Sequence, residues 1–445
     1  MIKMLFVLRA YNDIDHLTPV IDYMLAKRRG ECALEVFFAR HDTQAFERNE
    51  NIVYLKKTHA FDFRVFSPSW ALPFFRALDV LEEHGGRLLR GLKGRKRFRE
   101  RAVSMLERAL LNGLKRVRSL LLQRHITRAV LCHAPDIVCC DWVDLNLFPY
   151  RRIALTARAH RIPIVGLPHG LNVFTETMDA VRYRRDVPVQ SPDVLRFDFQ
   201  FAPNELHKQH IVDDGFPAER VLVLGAPRYD PAWLKVKAEQ FARQSIDQDA
   251  ISAEISAEIP AAVPGPKIVV FPNKLMYRGN ADAVKQIIEI CTQHGSVIVK
   301  PHTRNMDIGF IERTHLKHQC RIVGNETNSS DLIRWCDIAV FWGSSIGIQV
   351  IMEHKKFIYA RFAHHYPTIY DQYFPSSSVH DIDALESTLG AMSRQPDQPQ
   401  YAVDQVADFL RDIVYAADQA CDLSERYYHQ LVMIASDTAR PVAAS

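Results

Sequence analysis

Apolar runs of strand length alternate with stretches of helical spacing through the first half of the chain. Ile2 to Leu8 reads as a first strand, and Arg9 to Asp15 as a polar loop at its carboxyl end. From Leu17 to Leu25 the apolar residues Leu17, Val20, Ile21, Met24 and Leu25 fall on one helical face, and Ala33 to Ala39 is the next strand. This strand–loop–helix–strand opening is how doubly wound α/β domains begin. Asp136 to Asp141 is a further strand, Leu147 to His160 a helix, and Ile162 to Pro168 a strand that ends at His169-Gly170. Phe199 to Pro203 and Val221 to Leu224 are shorter strands bracketing a capped helix at Asn204 to His210.

The pattern then breaks and restarts. Lys235 to Pro266 reads as a helix followed by a linker, in which Ile251-Ser252-Ala253-Glu254 recurs as Ile255-Ser256-Ala257-Glu258 ahead of Pro260, Pro264 and Pro266. Strands follow at Ile268 to Phe271, Val297 to Val299, Arg321 to Val323, Ile338 to Trp342 and Phe357 to Ala360, with helices at Ala281 to His294 and Ser330 to Trp335. The expected fold is therefore α/β, with two Rossmann-like domains facing across a cleft. An N-terminal domain covers 1–235 and a linker 236–266. A C-terminal domain covers 267–400, and helices over 401–445 cross back.

Composition changes this picture little. The 445 residues are 47% hydrophobic and 24% charged, ordinary values for a globular protein of at least two domains. The net charge of +4 does not argue for a nucleic-acid partner. No apolar run reaches the length of a membrane span, and no cleavage site follows the first apolar stretch, so neither a membrane helix nor a signal peptide is expected. The eight cysteines form no C-x-x-C pair, which fits reduced thiols in the cytoplasm better than a zinc site or a disulfide framework. Charge is concentrated in one place. Gly85 to Arg101 is rich in arginine and lysine, and basic residues continue through Arg108, Lys115, Arg116 and Arg118 between leucines. A basic helical insertion at 85–125 suits an anionic membrane face or an acidic polymer, or is a plain solvated helix face.

The candidate chemistry lies at strand exits, where open α/β sheets bind ligands. In the second half three exits fall on one edge: Pro272 through Arg278, Lys300 to Arg304, and Gly343-Ser344-Ser345. Lys274, Arg278, His302 and Arg304 bring donors and positive charge, and Ser344 or Ser345 caps the helix behind. That set suits a pyrophosphate without an obligatory metal. The facing edge carries the Asp13/Asp15 loop, Asp141 and His169. His169, set between Pro168 and Gly170, is the expected general base, with Asp15 and Asp141 as further candidates. No G-x-S-x-G, Walker A, G-x-G-x-x-G or H-E-x-x-H is present.

With these motifs the chain resembles a GT-B glycosyltransferase. More narrowly, it resembles the bacterial surface-polysaccharide branch that includes capsule transferases and the CDP-glycerol glycerophosphotransferases of teichoic acid synthesis. Pro168-His169-Gly170 matches that branch's His-Gly at a first-domain strand exit. Lys300-Pro301-His302-Thr303 matches its second histidine motif, with Thr303 in place of a proline. Ser344-Ser345 matches its Ser-Ser turn, and Lys274 or Arg278 fills its basic position. Where many GT-B enzymes place a ribose-binding glutamate, this chain has Gln349.

The resemblance implies a nucleotide-activated donor of CMP/CDP or UDP type, no cofactor and no metal. It also implies a polysaccharide or lipid-linked acceptor, and a cytoplasmic protein peripheral to the inner membrane. The activity expected is transfer of a glycosyl or glycerophosphate unit to a growing cell-surface polysaccharide. A nucleotide-sugar 2-epimerase of the same fold and a non-catalytic binding protein are the alternatives.

Overall fold

The computed structural model describes residues 1–9, 11–39, 49–66, 113, 122–168, 170–176, 195–241, 264–273, 281–302, 315–324, 327–364, 366–417 and 422–438. The first sheet has seven parallel strands: β1 (Ile2–Leu8), β2 (Cys32–Phe38), β3 (Arg64–Val65), β4 (Ile137–Asp141), β5 (Ile164–Leu167), β6 (Phe199–Ala202) and β7 (Val221–Val223). Their spatial order is β3-β2-β1-β4-β5-β6-β7. The second has six: β8 (Lys267–Phe271), β9 (Ser296–Val299), β10 (Arg321–Ile322), β11 (Ile338–Phe341), β12 (Lys356–Ala360) and β13 (Ser378–Val379). Their order is β10-β9-β8-β11-β12-β13. Each sheet reverses direction beside its first strand, between β1 and β4 and between β8 and β11, which is where doubly wound sheets open a crevice.

The described helices are α1 (Tyr11–Lys27), α2 (Glu50–His59), α3 (through 122–133), α4 (Tyr150–Ala159), α5 (Glu205–Asp213), α6 (Pro231–Phe241) and α7 (Ala281–His294). After these come α8 (Ser329–Trp335), α9 (Ile346–Met352), α10 (Ile369–Tyr373), α11 (Ile382–Arg394), α12 (Val403–Ile413) and α13 (Leu423–Thr438). The period-two alternation of β1 divides its side chains between two cores. Met4, Phe6 and Leu8 join the layer under α1 and α13, while Leu5 and Val7 join the layer under α3 and α4. The second sheet has its own core, and α12 packs into it through Val406, Phe409 and Ile413.

One expected element differs. Arg9 to Asp15 is not a loop, because α1 begins at Tyr11, six residues before the expected start at Leu17. The Asp13 carboxylate accepts the Arg9 N–H at 2.7 Å, so an acid that reads as a loop residue closes the helix start instead. The helix at α2 was not expected either, although Asn49 accepts N–H bonds from Asn51 and Ile52 as an ordinary cap. The basic residues of the segment 85–118 and the repeat at 251–258 lie outside the described residues.

The two sheets are stitched together by segments of the first half. Leu171, Val173 and Phe174, which follow the exit of β5, are buried in the second sheet's core, as are Ala226 and Tyr229 after β7. The strap at 171–175 also pairs with the second half by backbone bonds: Ile369 donates to the Val173 carbonyl at 2.9 Å and Thr175 to the Pro367 carbonyl at 3.1 Å. In the other direction, Tyr23 and Arg28 of α1 both bond Glu425 of α13, and Tyr428 bonds Glu31.

Candidate active site at the facing sheet edges

The first edge is an acid cluster at the switch point between β1 and β4. Asp13 and Asp141 are both fully buried, one at the start of α1 and the other at the end of β4. Arg9 closes over them, its guanidinium 2.9 Å from the Asp141 carboxylate, with Arg9 35% exposed and Asp141 at 0%. Burial pushes Asp141 up, the negative Asp13 beside it adds to this, and Arg9 offsets part of it; the result is about 7. His16, one helical turn on from Asp13, is buried as well. Its Nε2 lies 4.0 Å from where a Cβ at Gly170 would stand, so this ring borders the exit of β5.

Asp15 is in a different state. Burial would raise it, but Arg228 at 2.8 Å and Lys237 at 3.7 Å outweigh that and hold it down to about 2. A carboxylate held that low is a poor proton acceptor. Lys237 also reaches Glu50 at 3.3 Å, and Glu50 accepts from Asn328 of the second half at 3.5 Å. Asp15 therefore belongs to a charge bridge between the halves.

The second edge is built around the turn after β11. Gly343 takes φ +53°, a left-handed conformation that glycine adopts without cost. Its carbonyl accepts from the Asn273 side chain, and its N–H reaches the Tyr359 hydroxyl at 3.4 Å. Tyr359 in turn bonds His364. Tyr370 donates to the Ser344 carbonyl at 2.8 Å and Tyr229 to the Ser345 carbonyl at 3.3 Å, so side chains from both halves set the turn. The Ser344 hydroxyl accepts the Ile346 N–H at 3.3 Å, while Ser345 stands at the cap position without a capping bond. A Cβ at Gly343 would lie 2.8 Å from Asn273 Nδ2 and 3.2 Å from Phe174 Cζ. Gly343→Ala is therefore expected to lose about 2 kcal/mol, read as a lowered urea midpoint, because the left-handed turn and the strap are disturbed together.

Phe174 belongs to the strap that leaves β5, so this near-contact brings the carboxyl edges of the two sheets to one cleft. His302 is half-buried at the exit of β9. That exit and the Gly343 turn flank β8, two strand spacings or about 10 Å apart. Lys300 is buried and its ammonium donates to the Gly324 carbonyl, which makes it a tie between the exits of β9 and β10. Gln349 donates to the Ser330 hydroxyl at 2.7 Å and links α9 to α8.

His169, Lys274, Arg278 and Arg304 lie outside the described residues. Asp141, Ser344, Ser345 and His302 occupy exits on the facing edges. Among the described residues no group of three or more His, Cys, Asp and Glu side chains is arranged to hold a metal. Sequence reasoning missed His16 and His207. His207 is buried, its Nε2 accepts the Asn172 N–H at 2.8 Å, and its Nδ1 bonds Asn204 Oδ1 at 2.7 Å. The first bond fixes the tautomer with the proton on Nδ1. Asn204 also donates to the Ile413 carbonyl at 2.8 Å, so His207 pins the strap to α12. The signal was present, since Asn204 caps α5 and a cap's partner lies three residues on.

Comparison with solved structures settles the architecture. The UDP-GlcNAc 2-epimerase of Neisseria meningitidis bound to UDP-GlcNAc aligns over 97% of this chain and 100% of its own, at TM-score 0.55 and 12% identity. The chain has the GT-B fold. UDP-N-acetylglucosamine 2-epimerase from Rickettsia bellii aligns over 99% of both chains at TM-score 0.56 and 11% identity. A glycosyltransferase from Rickettsia africae aligns over 97% of this chain and 98% of its own at TM-score 0.51 and 11% identity. No family model matches the chain, and no curated protein does. Both epimerases and glycosyltransferases therefore share this architecture.

Proposed function

We propose that this chain is a glycosyltransferase that takes a nucleotide-activated sugar in the cleft and passes the glycosyl unit to a cell-surface polysaccharide acceptor. The observation that carries the reading is the pairing of edges. One holds a buried carboxylate raised to about 7, and the other a fixed Gly-Ser-Ser turn with His302 two strands away. The first is suited to taking a proton near neutral pH, and the second to holding a charged leaving group. Asp141 accepts the proton of an acceptor hydroxyl that takes the place of Arg9 against it. Ser344, Ser345 and His302 hold the donor phosphates, joined by Lys274, Arg278 and Arg304. Gln349 contacts the ribose once it exchanges its bond to Ser330. His169 is the rival for the base, because Asp141 pairs in register with Leu167, two residues before it.

Uridine nucleotides come first among the donors, since the Neisseria meningitidis structure was solved with UDP-GlcNAc. A thermal-shift series with UDP, CDP, CMP and GDP is expected to raise Tm with one base. The gain at a hundredfold excess over Kd corresponds to about 2.7 kcal/mol. No shift with any of them would reject the nucleotide-dependent reading. The second reading, a 2-epimerase, is favoured by two of the three structural neighbours described above. Product analysis without acceptor separates the two: a free epimerised sugar nucleotide identifies the epimerase, and turnover only with acceptor identifies the transferase.

A further inference from the structure

The exit of β7 delivers a segment of the first half to the second sheet's carboxyl edge. Along 224–230 every residue is buried except Arg228. Ala226 and Tyr229 join the second sheet's core, and Ala226 donates to the Val414 carbonyl at 2.8 Å. The Tyr229 hydroxyl reaches the Ser345 carbonyl at 3.3 Å, so its ring ends at the Gly343-Ser344-Ser345 turn. Over that ring stands the Arg228 guanidinium, 5.5 Å from the centre, within the range of a cation–π contact. A cation of the first half is thereby held one tyrosine ring away from the turn.

Arg228 bonds Asp15 at 2.8 Å, yet its side chain keeps 27% of its surface exposed. The Asp15 carboxylate does not depend on it alone. Lys237 stands 3.7 Å from Asp15, and the Asn51 amide donates to it at 3.4 Å. Two cations thus face one buried carboxylate. Lys237 leans away from the turn, toward Glu50 at 3.3 Å, whereas Arg228 lies over Tyr229. A guanidinium fork fits a carboxylate and a phosphate equally well, so Arg228 can pass from one to the other while Asp15 keeps its remaining partners. Two described cations at the second sheet's own exits serve the backbone: Lys300 donates to the Gly324 carbonyl, and Arg361 to the His364 carbonyl at 2.7 Å.

We propose that Arg228 is a donor-binding residue supplied by the first half, which exchanges Asp15 for the diphosphate of a nucleotide-activated donor seated at the Gly343-Ser344-Ser345 turn. The inference rests on the nucleotide-dependent reading of the cleft and holds for transfer and epimerisation alike. Asp15 is then an internal competitor of the donor, and filling the donor site releases a bond between α1 and the exit of β7.

Titration calorimetry of the full chain with UDP, CDP and GDP tests the exchange. Arg228→Gln is expected to weaken the nucleotide diphosphate that binds by about 30-fold, and Arg228→Lys by about 5-fold, since lysine keeps the charge without the fork. Asp15→Asn is expected to tighten it by about 5-fold, because the amide no longer competes for the guanidinium. A residue that merely ties the halves together gives another pattern, in which breaking the pair from either side weakens binding alike. The double variant Asp15→Asn with Arg228→Gln strands no buried carboxylate, so it serves even if Arg228→Gln alone unfolds, and it should bind as weakly as Arg228→Gln. Native-strength binding by the double variant overturns the proposal. So does a loss of affinity in Asp15→Asn. If no nucleotide diphosphate binds the native protein, the donor reading falls and the proposal with it. If one binds and neither Arg228 variant changes its affinity, the proposal falls alone.

Discussion

Asp141→Asn is expected to make the protein more stable and nearly inactive. The carboxylate is fully buried beside Asp13, with Arg9 at 2.9 Å as its counter-charge. Its folded-state value of about 7 stands above the ordinary 3.8. The folded state therefore holds the proton more tightly than the unfolded chain does. That contribution is fully present below the unfolded value of about 3.8 and is lost as pH rises through about 7. At pH 8 the native protein carries a buried charge that the amide would not, and the variant should gain about 2–4 kcal/mol there. At pH 4 the two should be equal, which a pair of urea titrations at the two pH values would show. Turnover should fall about 100-fold or more, the usual loss on removing a positioned proton acceptor. The acid limb of kcat/KM, expected near pH 7 in the native protein, should vanish in the variant. His169→Ala is made alongside. If it abolishes turnover while Asp141→Asn keeps it, the base is His169, and Asp141 is a buried electrostatic support.

The second large effect concerns His207. Burial holds its pKa down to about 3, with the neighbouring His210 adding to the depression. The imidazole is neutral in the fold and fills two bonds, one from the Asn172 N–H and one to Asn204. His207→Ala leaves the half-buried Asn172 N–H without its acceptor, takes one of two donors from Asn204 Oδ1 and opens a cavity, for a loss of about 3 kcal/mol. Acid should reproduce part of this in the native protein. Here the unfolded chain binds the proton first, so stability is fully present above about pH 6.5 and falls toward pH 3. At pH 5 the loss is about 2 kcal/mol by linkage. Asp141 acts in the opposite direction over the same window, and so, more weakly, does Asp422, which burial raises to about 6; the measurement therefore belongs in the Asp141→Asn background, as a difference between proteins with and without His207. An acid limb that persists unchanged in His207→Ala would refute the assignment. Because His207 holds the strap through Asn172, the same variant should also weaken nucleotide binding across the cleft. The strap's Phe174 lies against the Gly343 turn.

Some of this molecule was legible in the chain and some was not, and the division follows the range of the forces. The runs Ile2–Leu8 and Ala281–His294 were placed to the residue, and the alternation of strand and helix read correctly as two doubly wound units. Such runs declare themselves because periodic burial is a local property of the sequence. The facing exits followed too, since parallel strands put their carboxyl ends on one edge. Local polarity misled where a distant partner decided the outcome. Asn12-Asp13-Ile14-Asp15 reads as a loop, but Asp13 accepts the Arg9 N–H at the helix start and Arg228 and Lys237 pair with Asp15, so both acids are buried in a helix. Lys300 reads as a ligand-binding cation, but Gly324 takes its ammonium.

The sequence by itself thus determined the two sheets, their edges and the Gly-Ser-Ser turn between strand and helix. Only the tertiary structure decided that Asp141 is raised and Asp15 lowered. It also decided that His207 is a pin and that the strap from the first sheet lies in the second sheet's core. Each of these depends on which groups meet across tens or hundreds of residues. A charge takes its properties from those neighbours and from the water they exclude, not from its place in the chain.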